Sequence, residues 1–346
     1  MGCFLSSTMP GARARIRLFL PLLMSATQKI KAPVLRDLEE FESHFKQSMK
    51  STVPLLDKIT HYIIRRKGKQ LRPVFVFLCA KLVRDVTPSS YTAASLIELL
   101  HTATLVHDDV VDDASYRRGF LSINALWKNK IAVLVGDYLL SKGLVLSIDR
   151  NEIELLRIVT EAVRQMSEGE LLQMEKARDL NITEEVYFAV IKAKTASLIA
   201  ACCASGAASA GADSVTIERL HRFGMLTGLA FQIKDDLFDY GDGDVGKPTG
   251  IDIKERKLTL PLIYALTRTD SAKRKYIRAL IKKHNENPEK VREIIQWVHQ
   301  SGGLEYARNK MMALKNEALA ELMHFPPGEV RESLETLLDY TVNRKK

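Results

Sequence analysis

Asp108-Asp109-Val110-Val111-Asp112-Asp113 and, farther along, Asp235-Asp236-Leu237-Phe238-Asp239 are the stretches on which the fold turns. Each is a DDxxD box set in a segment of helical periodicity. At about 3.6 residues per turn, Asp108 shares a helix face with Asp112, and Asp235 with Asp239. Like charges one turn apart repel and weaken an isolated helix. The flanks, His101-Thr-Ala-Thr-Leu-Val-His107 and Gly228-Leu-Ala-Phe-Gln-Ile233, are too apolar for freely solvated faces. A positive group must therefore sit between the carboxylates, and paired hard oxygen donors suit Mg²⁺. One such box alone is equally well read as an acidic surface patch. Two, each inside an apolar helix, argue against that. A calcium loop is excluded by spacing, because it alternates its ligands around a central glycine.

Working outward, no segment shows sustained period-2 alternation, and long runs of 3.6 periodicity dominate. Helices are expected near 35–50, 52–66, 70–84, 90–114, 131–148, 151–178, 183–211, 214–241, 259–268, 271–285, 288–300, 303–324 and 328–343. Breaks fall at Thr87-Pro88, between Ser115 and Asn129, at Asn181, from Gly241 to Arg256, at Asn287-Pro288, Gly302-Gly303 and Pro326-Pro327-Gly328. Thr183 and Asn287 read as helix caps, the second with proline at the first helical position. The expected fold is all-α: a single large helical bundle over 31–346 with a central cavity, preceded by a non-diagnostic segment, 1–30.

The 346 residues are 46% hydrophobic, ample for a core, and carry a net charge of +9. That charge suggests anionic partners, but acidic residues are mixed in throughout, and no basic block interleaved with aromatics points to nucleic acid. Cys3, Cys79, Cys202 and Cys203 lack CxxC spacing and read as reduced, buried apolar residues. Residues 1–23 hold Arg13, Arg15 and Arg17 before Leu18-Phe-Leu-Pro-Leu-Leu, with no acid. A targeting segment, a myristoylation signal and an upstream extension before a true start at Met24 all fit, and the last is the expectation. No other stretch approaches 18 uncharged apolar residues, so an integral membrane protein is not expected.

Cations cluster near the boxes. Arg117 and Arg118 follow the first box in Ser115-Tyr-Arg-Arg-Gly119, and guanidinium forks suit phosphate oxygens. Two exposed loop arginines would read the same way. Lys67-Gly-Lys69-Gln-Leu-Arg72-Pro73 opens a helix whose free amides and dipole favour an anion. His101 lies two turns before Asp108, where a satisfied core histidine is the commoner reading. Lys194-Thr195 stands mid-helix among apolar residues, so the lysine needs an anionic partner or must snorkel. Gln232 and Lys234 flank the second box. A glycine-rich loop, Gly241 to Gly250, ends at Glu255-Arg256-Lys257 and reads as a lid over a polyphosphate.

These motifs together resemble the trans-prenyl diphosphate synthase family, in its branch making long polyprenyl chains. The resemblance rests on Gly68-Lys69-Gln-Leu-Arg72-Pro73, on His107 through Gly119, and on Gly136-Asp137-Tyr138-Leu139. It rests equally on Gly169-Glu170-Leu-Leu-Gln173, Lys194-Thr195 and Phe231 through Asp239, in the family's order across 68–261. It implies the isoprenoid synthase type of all-α bundle. It also implies that Asp108 and Asp112 hold two Mg²⁺ ions and that Asp235, with Asp239 nearby, holds a third. Asp108, Asp109, Asp112, Arg117, Lys194, Asp235 and Asp236 would carry the catalytic electrostatics. Arg117, Lys194, Thr195, Gln232, Lys234 and Lys257 would bind the allylic diphosphate; Lys69, Arg72, His101 and Arg118 would bind isopentenyl diphosphate. No protein nucleophile is required. One departure stands out: the family often has Glu-Gly-Lys where this chain has Glu255-Arg256-Lys257, which is expected to stiffen or recharge the loop.

Ala103 and Thr104, the fifth and fourth residues before Asp108, are small where short-chain relatives carry aromatics. From Ala103 back to Tyr91 the helix offers about 18 Å, so a product of about C30 to C50 for a quinone side chain is expected. The resemblance also implies a homodimer. The cysteine usage suits a reduced, intracellular protein, so a cytoplasmic setting with transient membrane contact for product release is expected, organelle targeting by residues 1–23 staying open. The rival readings are a shorter-chain synthase, a non-catalytic subunit of a heteromeric synthase, a terpene cyclase and a lipid-binding helical module. The subunit would be expected to lose a box, and the cyclase to carry an asparagine-serine-glutamate motif that is not found. The lipid module leaves the aligned carboxylates unexplained.

Overall fold

The computed structural model describes residues 25–344 except 66, 67, 69, 118, 181 and 242–248. Lys69, Arg118, the segment before Ser25 and most of the glycine-rich loop therefore lie outside the described residues. The chain runs through α1 (Ala26–Lys31), α2 (Leu35–Ser48), α3 (Pro54–Arg65), α4 (Leu71–Val83) and α5 (Pro88–Val111). A hairpin, β1 (Tyr116–Arg117) and β2 (Phe120–Leu121), leads to α6 (Ile123–Asp149), α7 (Ile153–Asp179), α8 (Glu184–Ile191), α9 (Ser197–Ser209) and α10 (Ser214–Phe238). The rest is α11 (Ile251–Lys254), α12 (Leu260–Arg268), α13 (Ser271–Lys283), α14 (Pro288–Gln300), α15 (Gly303–Leu322) and α16 (Glu329–Asn343).

The fold is all-α, and the caps explain why its helices start where they do. Thr87 and Ser90 form a reciprocal capping box with Pro88 at the first position of α5, satisfying amides a helix start leaves open. Thr183 accepts from the Val186 amide, and Asn287 from those of Glu289 and Lys290. α9 forms the centre of the bundle, packed by α4, α5, α7 and α10. Its run of Ala200, Ala201, Cys202, Cys203, Ala204, Ser205 and Gly206 is buried throughout, and such small side chains let four helices approach at once. The three described cysteines are free and buried.

Large apolar side chains fill the shell around α9, Phe41, Phe77, Leu96 and Phe223 among them, each fully buried and stabilising by about 1.5–3 kcal/mol. A second apolar cluster, built from the end of α10 and from α12 to α15, shares Leu314 with the first. At the C-terminal end of α5 the first box borders the first cluster through Val106 and Val110, and at that of α10 the second box borders the second through Ile233 and Leu237.

Four features depart from the expected pattern. The hairpin, turning at Gly119 with φ +79°, has strands too short for alternation to register. α6 begins eight residues early, with Lys128 at φ 72° breaking its first turns from the rest. The expected helix over 183–211 is split by a π-helical turn, Lys192–Ala196. α11 lies inside the expected loop. The expectation about apolar stretches also needs correcting: Ile123–Asp149 and Glu184–Ser209 are long and apolar enough to cross a membrane by length and composition. Over half of the second is buried in the bundle, against a third of the first, whose Val133, Leu134, Val145 and Ile148 face outward.

Candidate active site

The last turn of α5 carries partial negative charge from its open carbonyls, and the sequence adds acids there. Asp108 is half-buried; burial, then the neighbouring Glu170 charge, push its pKa up, while Lys194 and Arg117 pull it back. Asp109 points the other way and is only 3% exposed. It receives the Arg117 Nε–H at 2.6 Å, the pairing a buried carboxylate requires. Its carbonyl accepts from the Asn124 side chain at 3.1 Å and the Ala114 amide at 2.9 Å. Asp109 thus anchors the hairpin and fixes Arg117. Asp112, at the helix end, is exposed.

The π turn presents Lys194 and Thr195. π bulges inside α-helices frequently mark functional sites, and here two glycines make room for one. A Cβ at Gly169 would stand 2.7 Å from the Ala193 Cβ, and one at Gly228 would stand 2.5 Å from the Ala196 Cα. α7 and α10 therefore close on the bulge from two sides. Lys194 forms an ion pair with Glu170 of α7. Thr195 donates to Gln232 Oε1 at 2.8 Å, and the Gln232 amide donates to Asp236 Oδ1 at 2.9 Å. Tyr187 Oη donates to Asp236 Oδ2 at 2.6 Å. Burial, then the charge of Asp252, push the Asp236 carboxyl up to about 8.

The second box divides its members among three partners. Asp235 meets Arg344, Oδ1 to Nη2, at 2.6 Å, and that guanidinium lies over the Phe231 ring at 3.9 Å. Asp236 closes the network just described. Asp239, one turn on from Asp235, has both its oxygens engaged: they accept backbone amides of α11, at 2.7 Å from Ile251 and 3.1 Å from Asp252. Asp252 is itself pushed up to about 7 by burial and by Asp239. Burial works against the Lys257 charge, but its hydrogen bond to Glu255 and the nearby charges of Asp252 and Asp112 raise its pKa.

Two cavities open beside the boxes, one lined by Asp109 and Asp235 and the other by Asp236, while Asp108, Asp112 and Asp239 line neither. The larger, about 550 Å³, brings together Arg72, Asp109, Arg117 and Asp235, with apolar walls from Phe41, Ile63 and Phe231. Arg72 there holds Glu98 at 2.8 Å. The smaller, about 200 Å³, brings together Lys194, Thr195, Gln232, Asp236 and Lys257, and adds Gln173, Tyr187 and Asp252. Lys234, His101, Ala103 and Thr104 line neither cavity. Lys234 packs over the Phe238 ring at 4.7 Å. Ala103 is 2% exposed inside the main core cluster, and Thr104 bonds the His101 carbonyl at 2.8 Å; core side chains close around this part of α5. Sequence reasoning missed Tyr187, Asp252, Glu98 and Arg344. Asp252, in the lid segment close to Lys257, was the one with a signal.

Asp108, Asp109, Asp236, Asp239 and Asp252 all stand above the ordinary carboxylate range. A site of oxygen donors strained by burial and mutual repulsion is what a hard divalent cation relieves. Among the described residues no three metal-ligating side chains are gathered at one point, and Asp108 with Asp112, one turn apart, would supply the first donors. The strain carries a pH dependence. In the unfolded chain these carboxyls titrate near ~3.9, so the native state keeps protons that the unfolded state has released. Stability is therefore fully present below that value and falls as pH rises through about 7 and 8 at Asp252 and Asp236. Without divalent cations, the melting temperature should be several degrees higher at about pH 5.5 than at about pH 8.5. A scan showing the reverse order would contradict these shifts.

Residues 53–298 match the family described as "Polyprenyl synthetase". The octaprenyl diphosphate synthase of Escherichia coli (strain K12) is 34% identical, covering 92% of this chain and 99% of that protein. Among solved structures, a decaprenyl diphosphate synthase from Rhodobacter capsulatus superposes with a TM-score of 0.87 at 35% identity, covering 92% of this chain and 99% of the other. A polyprenyl synthase from Caulobacter crescentus CB15, complexed with calcium and isoprenyl diphosphate, gives 0.84 at 34%, covering 92% and 98%.

Proposed function

This chain belongs to the polyprenyl synthetase family, and on that premise we propose that it is a long-chain trans-polyprenyl diphosphate synthase. It joins isopentenyl diphosphate head-to-tail to an allylic diphosphate. What supports it is the Asp108 carboxylate under the charges of both Lys194 and Arg117, two cations that line different cavities. Arg72 suits the isopentenyl diphosphate, and Arg117, expected on the allylic diphosphate, lines the same larger cavity and so suits the isopentenyl diphosphate as well. Lys194, Thr195, Gln232 and Lys257 of the smaller suit the allylic diphosphate.

Divalent metal dependence goes with the family and with the calcium complex of the Caulobacter crescentus relative; Mg²⁺, three ions per site, is our finer reading. When bound, the ions neutralise charge building on the departing diphosphate. The chain's own residues do the remaining work. Lys194 and Lys257 hold the leaving oxygens as the allylic C–O bond breaks, and the Thr195–Gln232–Asp236–Tyr187 network keeps the π turn in place. Apolar walls of the larger cavity exclude water from the allylic cation. The isopentenyl double bond attacks that cation, forming the new C–C bond. The proton lost from the adjacent carbon leaves with the pyrophosphate, so no protein base is needed.

The outward apolar face of α6 supports a second copy of the chain as its partner. Transient membrane contact and a cytoplasmic setting complete the proposal. Purified protein given farnesyl and isopentenyl diphosphates with Mg²⁺ should release linear products of about C30 to C50 by mass spectrometry, a range that takes in the octaprenyl and decaprenyl synthases it resembles; products stopping at C20 would defeat the long-chain reading. Ala103→Phe should shorten the product by at least one unit if the growing tail displaces the core side chains closed around this part of α5, since a ring there adds bulk they must also yield to. Unchanged length would remove this position from the path of the growing chain.

A further inference from the structure

Asp239 and Asp235 stand one turn apart, yet the structure uses them differently. The Asp235 side chain is 42% exposed and opens on the larger cavity. Asp239 is 9% exposed, and it makes three bonds to three consecutive residues. Its carbonyl accepts the Gly250 amide at 2.9 Å, and its two carboxylate oxygens accept those of Ile251 and Asp252. Charge-assisted bonds of this kind are stronger than neutral ones, and moving the carboxylate onto a cation would strand both amides.

What those bonds hold is a strap. At its start Gly250 has φ +77°, and a Cβ there would stand 2.3 Å from the Val291 side chain of α14. Ile253 is fully buried, and Asn285 donates to the Lys254 carbonyl. At its end the Arg256 amide bonds the Ile253 carbonyl at 3.1 Å, and the Lys257 amide bonds that of Asp252 at 2.8 Å. With Arg256 at φ 58°, this is the left-handed helix termination in which glycine is usual. The strap delivers Asp252 and Lys257 to the smaller cavity and the Lys257 charge toward Asp112 of the first box.

We propose that Asp239 is a positioning residue: its carboxylate caps α11 and so sets Lys257 and Asp252 in the site, rather than serving as a metal ligand. The inference rests on the reading of these boxes as a metal–diphosphate site, and its test separates the two. Hydrogen exchange of the substrate-free protein, followed by mass spectrometry, should show faster exchange across residues 250–257 in Asp239→Ala, and to a lesser degree in Asp239→Asn. In steady-state assays Asp239→Asn should lose about tenfold or more in kcat, yet keep its Mg²⁺ midpoint within about twofold of the wild type, because no first-sphere donor is lost. Asp235→Asn, by contrast, should move that midpoint.

Unchanged exchange over 250–257, or a Mg²⁺ midpoint in Asp239→Asn displaced as far as in Asp235→Asn, would overturn the proposal. Should Asp239→Ala fail to fold, Asp239→Asn, which keeps shape and one acceptor oxygen, carries both measurements. A wild-type protein inactive on prenyl substrates would defeat the proposed function, while the exchange result would still decide what Asp239 holds.

Discussion

Asp108→Asn should lower kcat by about 10³-fold, the scale of losing a preorganised electrostatic group at the reacting centre. Asparagine keeps the shape of the side chain and removes its charge. That charge is already costly in the free protein, since burial and Glu170 both oppose it. The variant should therefore melt at the wild-type temperature or above it, and activity and stability should move in opposite directions. A carboxylate kept only for folding would show the reverse. Steady-state rates beside thermal melting distinguish the cases, and an Asp108→Asn enzyme within about tenfold of wild type would remove Asp108 from the catalytic site.

Lys194→Ala should cost about 10²- to 10³-fold in kcat/KM, comparable to deleting one essential donor. The loss has two parts. The variant loses a cation facing the smaller cavity, and it leaves Glu170 without its ion-pair partner beside an Asp108 that Glu170 already repels. Glu170→Gln in the same protein should recover part of the loss, because it removes the stranded charge without restoring the cation. Full recovery would mean that Lys194 acts only by screening Glu170. No recovery would mean that all its effect falls on the substrate. Rates of the two single variants and the double variant complete the cycle.

The long helices were legible because each needs only local information: an apolar stripe, a cap such as Thr87 or Asn287, a break at proline or glycine. The box aspartates were legible for the same reason, since their spacing is a property of one helix. What could not be read depends on residues far apart in the chain. Nothing near Asp239 announces that its oxygens face the amides of Ile251 and Asp252 across the loop. Arg344 reaches Asp235 from the other end of the sequence, and Tyr187 finds Asp236 from a different helix. Asp109 shares a box with Asp108 but faces away from it, because successive residues on a helix point about 100° apart. The tunnel expectation drew on the small size of Ala103, and size alone does not say which neighbours close over a position. Arg256 was legible as a departure; that it sits in the left-handed region, where a side chain is disfavoured, emerged only from the backbone.

The π turn at Lys192–Ala196 has a consequence for how this region tolerates change in length. A wide turn holds an additional residue, so α9 leaves it out of phase with α8, and every buried alanine and cysteine of α9 takes its facing from that offset. Removing one residue from the turn would restore regular winding and swing the whole small-residue face away from α4, α5 and α10. Gain or loss of residues should consequently be tolerated better in the connection at 210–213, which lies outside the helices on either side, than within the turn. The bulge thus acts as a fixed spacer, keeping the cation-bearing turn and the bundle's central helix in one register.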